Sequence, residues 1–340
     1  MSSPGMSFPQ QASAQLARLS RWHPAEYLAW AAIVAAFLLF PDRYLLIAEI
    51  AVTALFALSL DLILGYAGIL SLGHAAFFGL GAYVAGIAAV RGVSDPLLGL
   101  GLAWVAATLL GGATSLLVLR GSDLTRLMVT LGVASVLYEL ANRLSWLTGG
   151  ADGLQGMEVG PLLGLFEFDL GGQVAAVYSL VVLFLAFVVV RRIVHSPFGW
   201  SLRAVRGNAL RAGAIGIPVR ARLVAAYTLG AGLAGIAGAL LAQSTQFVSL
   251  DVLAFHRSAD ILLVLVIGGV GWLYGGLLGA VLFKLMQDVL SSLTPQYWQF
   301  WIGLVLVALV LIGRDRIADW LALFRRRKPA TASHVPEPAE

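Results

Sequence analysis

The 340-residue chain is 59% hydrophobic and only 12% charged, with a formal net charge of +4, against roughly 45–50% apolar and about 25% charged in soluble globular domains. That balance excludes water as the solvent for most of its surface. The absence of cysteine excludes disulfides, thiolate metal sites and cysteine nucleophiles, and basic residues set between apolar runs argue for membrane orientation and against a nucleic-acid-binding face.

A spanning helix needs about 20 mainly apolar residues. Hydropathy places about ten such stretches near residues 25–40, 44–64, 71–90, 97–119, 127–147, 174–191, 222–243, 259–271, 274–292 and 299–313. The run VAAVYSLVVLFLAFVVV (174–190) shows none of the alternation of a membrane β-strand, so the expected fold class is all-α, a polytopic transmembrane bundle. The first run has the length of a signal-peptide core, yet Pro41-Asp42-Arg43 follows it in place of a small-residue cleavage site, and it reads as a retained helix.

Orientation follows from the arginines. Residues 191–222 carry Arg191, Arg192, Arg203, Arg206, Arg211, Arg220 and Arg222 without an acid, the mark of a cytoplasmic loop. The C-terminal cluster Arg314, Arg316, Arg325, Arg326, Arg327 and Lys328 is expected on the same side, as a membrane-orienting anchor. Residues 148–173 hold Asp152, Glu158, Glu167 and Asp169 without a basic residue, which suits the opposite face. The expected organisation is a cytoplasmic tail (1–24), a transmembrane domain (25–313) containing a cytoplasmic loop (192–221), and a second cytoplasmic tail (314–340). Parity then requires residues 259–292 to cross an even number of times. Their centre, VIGGVGWLYGG (266–276), fits a hairpin or broken-helix turn, which makes Gly268, Gly269 and Gly271 candidates for the translocation path or for helix packing, against the plainer reading of a cytoplasmic turn.

Two blocks carry more specific information. In GYAGILSLGHAAFFGLGAY (65–83), continued to Gly86, Ala75, Gly79, Ala82 and Gly86 form one smooth face suited to close packing. Ser71 and His74 stand at the entrance of that helix. The histidine either touches solute or protons or satisfies backbone groups at a helix start. In FGWSLRAVRGNALRAGAIGIPVR (198–220), Phe198, Leu202, Val205 and Ala209 recur at helical spacing with Arg203 and Arg206 on another face. One short amphipathic helix is expected, ended by Gly213, Gly216 and Pro218. It suits either anionic lipid or a groove on a cytoplasmic protein. The chain has only two lysines, Lys284 before leucine and Lys328 before proline, so it lacks a nucleotide-binding P-loop. Any ATP drive must arrive from a partner.

With these motifs the chain resembles the M-type permeases of high-affinity branched-chain amino acid ABC importers (LivM type), a family shared with urea and amide permeases. The pattern at 65–83, TGGADGL at 148–154, the 198–217 loop and ILLVLVIGGVGWLYGGLLGA at 261–280 follow in the family's order. The resemblance implies a bacterial inner-membrane subunit that binds no cofactor itself. It also implies a second homologous permease, two cytoplasmic ATPases that use the ATP, and an extracytoplasmic solute-binding protein, with lipid around the bundle. The 198–217 loop becomes the coupling element, with Phe198, Leu202, Arg203, Arg206, Asn208, Ala209 and Gly216 as its ATPase-coupling residues. Gly207 and Ala209 stand where family members usually carry acids. Asp152 is placed either at the binding protein or as a helix cap. Branched-chain amino acids are the leading solutes, ahead of urea, short amides and aromatic acids.

Charges inside spans have local explanations. Glu139 precedes Arg143 by four residues and an intrahelical pair is the default, with a path role for Glu139 as the alternative. Lys284 and Asp288 form another such spacing, and Asp61 reaches the interface from the end of its span. Two other function classes compete. An ion-coupled carrier would work alone, and an intramembrane enzyme would need a third group beside Ser71 and His74.

Overall fold

The structure is a computed structural model and describes residues 24–169 and 171–312. Most of the first tail and the whole basic C-terminal cluster lie outside the described residues. The described chain is helical, with only two isolated bridge pairings, Leu154 with Val248 and Leu162 with Phe166. The chain is a multi-pass helical membrane protein.

The helices are α1 (Pro24–Leu39), α2 (Tyr44–Asp61, prolonged by a π-helical turn Leu62–Tyr66), α3 (Ala75–Val90), α4 (Pro96–Val118), α5 (Asp123–Arg143) and the single turn α6 (Ser145–Thr148). They continue with α7 (Gln173–Val194), α8 (Pro197–Gly207), α9 (Ala209–Ala214), α10 (Val219–Thr245), α11 (Phe255–Gly268), α12 (Gly275–Leu293) and α13 (Trp298–Ile312). Polar caps punctuate them where the sequence leaves an apolar run. Asp95 accepts from the Leu97 N–H ahead of Pro96, and Ser122 accepts from Thr125. The chain divides into a unit ending at Leu285 and a second that begins at Met286 and holds the end of α12 and α13.

A helix stands at each of the ten expected places, but among the described residues only six are long and apolar enough to cross a membrane: Pro41–Tyr66, α4, α5, α7, α10 and α12. Helices α1 and α3 have 16 residues each, α11 has 14 and α13 has 15, short of the about 20 that a crossing takes. The expectation of ten crossings therefore reduces to six by length. For α3 and α11 the reason is visible, because non-helical backbone occupies the adjoining depth.

The first such segment is residues 67–74. Ile69, Ser71 and His74 are all buried, so this backbone must find partners within the protein. The Ile69 N–H donates to the Ile63 carbonyl, Leu72 N–H to Thr130 Oγ1 on α5, and Ala75 N–H, at the start of α3, to Ser258 Oγ on α11. The second segment is 246–254. Val248 pairs with Leu154, Leu250–Leu253 forms a 3-10 turn, and Val248, Val252 and Leu253 are buried. It lies on the small-residue face of α3. A side chain at Gly86 would press on Leu154, Met157 and Val248, and one at Gly79 would strike Leu253 and the Val252 carbonyl. From Gly86 to Gly79 the segment thus descends about 10 Å along α3 at 1.5 Å per residue.

Helix α10 is the hub of the larger unit, packed on α3, α4 and α2. Glycine makes that approach close enough for backbones to touch. A Cβ at Gly238 would overlap the Phe78 carbonyl, and one at Gly81 would overlap Gly235. Gly238→Val is expected to convert detergent-extracted protein from a single eluting species to aggregate. Its cost exceeds the about 1–3 kcal/mol usual for overpacking because backbone cannot rotate away. Gly101→Val, where nothing lies within 4 Å of the added carbon, is expected to elute unchanged.

Candidate functional site

The arginine-rich loop folds as two helices where one was expected. Ser196 accepts from the Gly199 N–H to start α8, and Pro197 occupies its first turn. Leu202 and Val205 are buried, and Gly199 lies on the Val194 carbonyl. The apolar stripe ends there. Asn208 turns extended (φ −163°) and its Oδ1 accepts from the Arg211 N–H at 2.9 Å, opening α9. An asparagine that caps the next helix cannot continue the previous one, so Ala209 stands exposed at the head of α9.

Three arginines of this region contact neighbouring groups of the protein, while Arg211 and Arg220 are exposed. Arg203 lies over the rings of Tyr66 (5.2 Å) and Trp200 (4.9 Å), and Arg222 lies over Phe198 (5.3 Å). Arg206 donates through Nη1 to the carbonyl of Gly65 in the π-helical turn. Its stem passes Gly68, and its guanidinium borders Gly271. The Gly271 N–H in turn donates to Asp61 Oδ1 at 2.7 Å, and Asp61 is 1% exposed. One node therefore joins α8, the end of α2 and the turn between α11 and α12. That turn needs glycine at two positions, Gly269 (φ +110°) and Gly271 (φ +78°), while Gly268 lies against the Gly275 carbonyl. Beside the node opens a cleft of about 810 Å³ between Leu64, Gly68, Asp123, Arg126, Arg206 and Asn208.

Turned outward are Leu210 (87% exposed) and Ile215 (76% exposed), together with Gly207, Arg211 and Gly216. Gly216 has a left-handed φ of +88° and open space around it.

His74 is fully buried. Its Nε2 is 2.8 Å from Ser59 Oγ, which also donates to the Phe56 carbonyl at 2.6 Å, and its ring stacks on Phe56. It makes no side-chain cap to α3. Ser258, a residue distant in sequence, satisfies the helix start instead. Ser71 is buried in the same segment. Glu139 and Arg143 form the expected pair at 2.6 Å on an exposed face of α5. Asp152 is exposed and caps no helix; Thr148 orders that turn, donating to the Ala141 carbonyl and accepting from Gly150 N–H. Lys284 reaches Glu49 on α2 at 3.0 Å, a partner that local spacing did not name.

The sequence profile of the family described as branched-chain amino acid transport system / permease component matches residues 44–310. The chain belongs to this family. Two curated relatives are the high-affinity branched-chain amino acid transport system permease proteins LivM of Escherichia coli K12, 28% identical over 280 residues, and of Salmonella typhimurium, 27% identical over 285 residues. Each alignment takes in 75% of this chain and 64% of the relative, so the chain spans just under two thirds of their length. The probable ABC transporter permease YphD of Escherichia coli is 33% identical over 154 residues, 42% of this chain and 46% of the relative. No solved structure matches. All three relatives are named as transport permeases, not as enzymes.

Within this permease, Asp61 is the residue that local reading undervalued. Its signal was present: a carboxylate deep in an apolar span, four residues before the glycine block that begins at Gly65.

Proposed function

We propose that this permease is one transmembrane subunit of an ATP-driven importer of branched-chain amino acids in a bacterial inner membrane. It works with a second homologous permease, two cytoplasmic ATPases and a soluble solute-binding protein outside. ATP is bound and hydrolysed by the ATPases, since this chain has no P-loop lysine. The arginine-rich loop faces the cytoplasm. Ten helical segments traverse or enter the bilayer, with both termini inside. Residues 148–172 lie outside, where Asp152 meets the binding protein.

The observation that carries this reading is the Arg206 node. Closure of the ATPases displaces α8 and α9, and Arg206 passes that displacement to the Gly65 carbonyl, while Asp61 ties the same turn to Gly271. A movement at the loop thereby reaches the break before α3 and the turn after α11 together. Packed elements of this kind respond by switching between arrangements more than by bending. Alternating access to a central path is the expected outcome.

The test is reconstitution. The complete assembly in proteoliposomes, supplied with binding protein outside and ATP at the ATPases, is expected to concentrate labelled leucine. This chain alone is expected to be inert, and concentrative flux from it alone, driven by an ion gradient, would overturn the reading. Uptake of urea in place of leucine by the complete assembly would keep the coupling and replace the substrate.

A further inference from the structure

A band of charge crosses the larger unit away from the coupling node. Asp251 Oδ2 accepts from both Nε (2.9 Å) and Nη2 (2.5 Å) of Arg257, and its Oδ1 lies 2.8 Å from His256 Nε2. Asp260, one turn along α11, is within electrostatic reach of Arg257, His256 and Lys284. Lys284 then holds Glu49 on α2. The band draws on four elements: the 3-10 turn, α11, α12 and α2.

Its depth follows from α3. Leu253 abuts Gly79 and Ser258 caps Ala75, positions 11 and 15 residues from the Val90 end of that helix. At 1.5 Å per residue this is about 16–23 Å along α3, well inside a hydrocarbon core of about 30 Å. At that depth the side chains of His256, Asp251 and Arg257 are 57%, 42% and 39% exposed. Charged groups inside the bilayer avoid lipid and mark water-filled paths or polar partners.

We infer that the Asp251–Arg257 pair, with His256 beside it, lines the solute path and is a binding station for a zwitterionic α-amino acid. Arg257 takes the solute carboxylate in the place that Asp251 now fills, with the two donors in a fork that suits a carboxylate. Asp251, released, accepts from the solute ammonium. The pair closes on itself when the solute leaves, so neither charge is left bare. The inference deepens the amino-acid reading proposed above and rests on it. It also accounts for the descent of residues 246–254 along α3, which carries Asp251 to this depth.

The chain has no cysteine, so His256→Cys introduces a single thiol. In the assembled transporter in membranes, a charged, membrane-impermeant methanethiosulfonate is expected to modify it at least about tenfold faster than Leu109→Cys, since the reactive thiolate needs water. Leu109 is 69% exposed on α4 and serves as the lipid-facing control. Leucine in excess is expected to slow the His256→Cys reaction severalfold, and urea to leave it unchanged. Equal inertness of the two thiols, or modification that leucine does not slow, overturns the station. Arg257→Gln, compared at matched membrane level, is expected to raise the KM for leucine about tenfold or more, the scale of a lost charge-assisted pair; an unchanged KM overturns it too. Wild-type uptake is measured in parallel. Failure of wild type to take up leucine counts against the amino-acid reading, whereas normal uptake with an inert His256→Cys counts against the station alone.

Discussion

Arg206→Glu is expected to lower ATP-driven leucine uptake at least about tenfold, the change that about 1.4 kcal/mol of lost coupling produces, while the chain still accumulates in the membrane. The wild-type guanidinium makes a charge-assisted bond to the Gly65 carbonyl, worth about 1.5–3 kcal/mol. A glutamate there cannot donate, and it brings a second carboxylate towards Asp61, which is already buried with one oxygen lacking a partner. Arg206→Lys keeps the charge and loses the fork, so an intermediate loss is expected. Two readouts separate the causes. If the node transmits motion, the reconstituted Arg206→Glu assembly continues to hydrolyse ATP and fails to move leucine. Loss of hydrolysis with loss of uptake would instead mean that Arg206 holds the ATPase itself, and full uptake would remove the node from the mechanism.

The positions of the ten apolar helices were legible because each follows an apolar run, and the close-packing face of α3 was legible because Ala75, Gly79, Ala82 and Gly86 recur at helical spacing. What packs on that face was not. Gly79 meets Leu253 and Gly86 meets Val248, contacts that no local pattern announces. Hydropathy likewise counts apolar residues without recording whether they run as helix, and the buried 67–74 and 246–254 segments are apolar without being helical throughout. The coupling stripe was legible as far as Val205. Beyond it, the capping preference of Asn208 outweighed the apolar spacing that pointed to Ala209. The long-range partners of the carboxylates were the least legible. Gly271 and Asp61 are 210 residues apart, and Lys284 and Glu49 are 235 apart, whereas Glu139 and Arg143, four apart, were readable from spacing alone.

Leu210→Arg combined with Ile215→Arg is expected to detach the ATPases from the permease. With Arg203 held over Tyr66 and Trp200 and Arg206 on the Gly65 carbonyl, the exposed apolar surface of the 198–217 loop is centred on these two side chains, 87% and 76% exposed. Burying a leucine or isoleucine contributes about 1.5–3 kcal/mol, so the pair offers about 3–6 kcal/mol, and its loss weakens docking about 10²–10⁴-fold. Leu210 on the six-residue α9 and Ile215 just past its end are exposed and contribute little to the fold of the permease, since only Ala212 of α9 is buried, and the double variant should therefore reach the membrane at its normal level. The Asn208 cap fixes the direction of α9 and hence the side on which the partner sits. Co-purification of the ATPases on a tagged permease measures the effect directly. Recovery at the unaltered ratio would shift the docking surface onto α8, whose exposed residues include Trp200, Ala204 and Arg206.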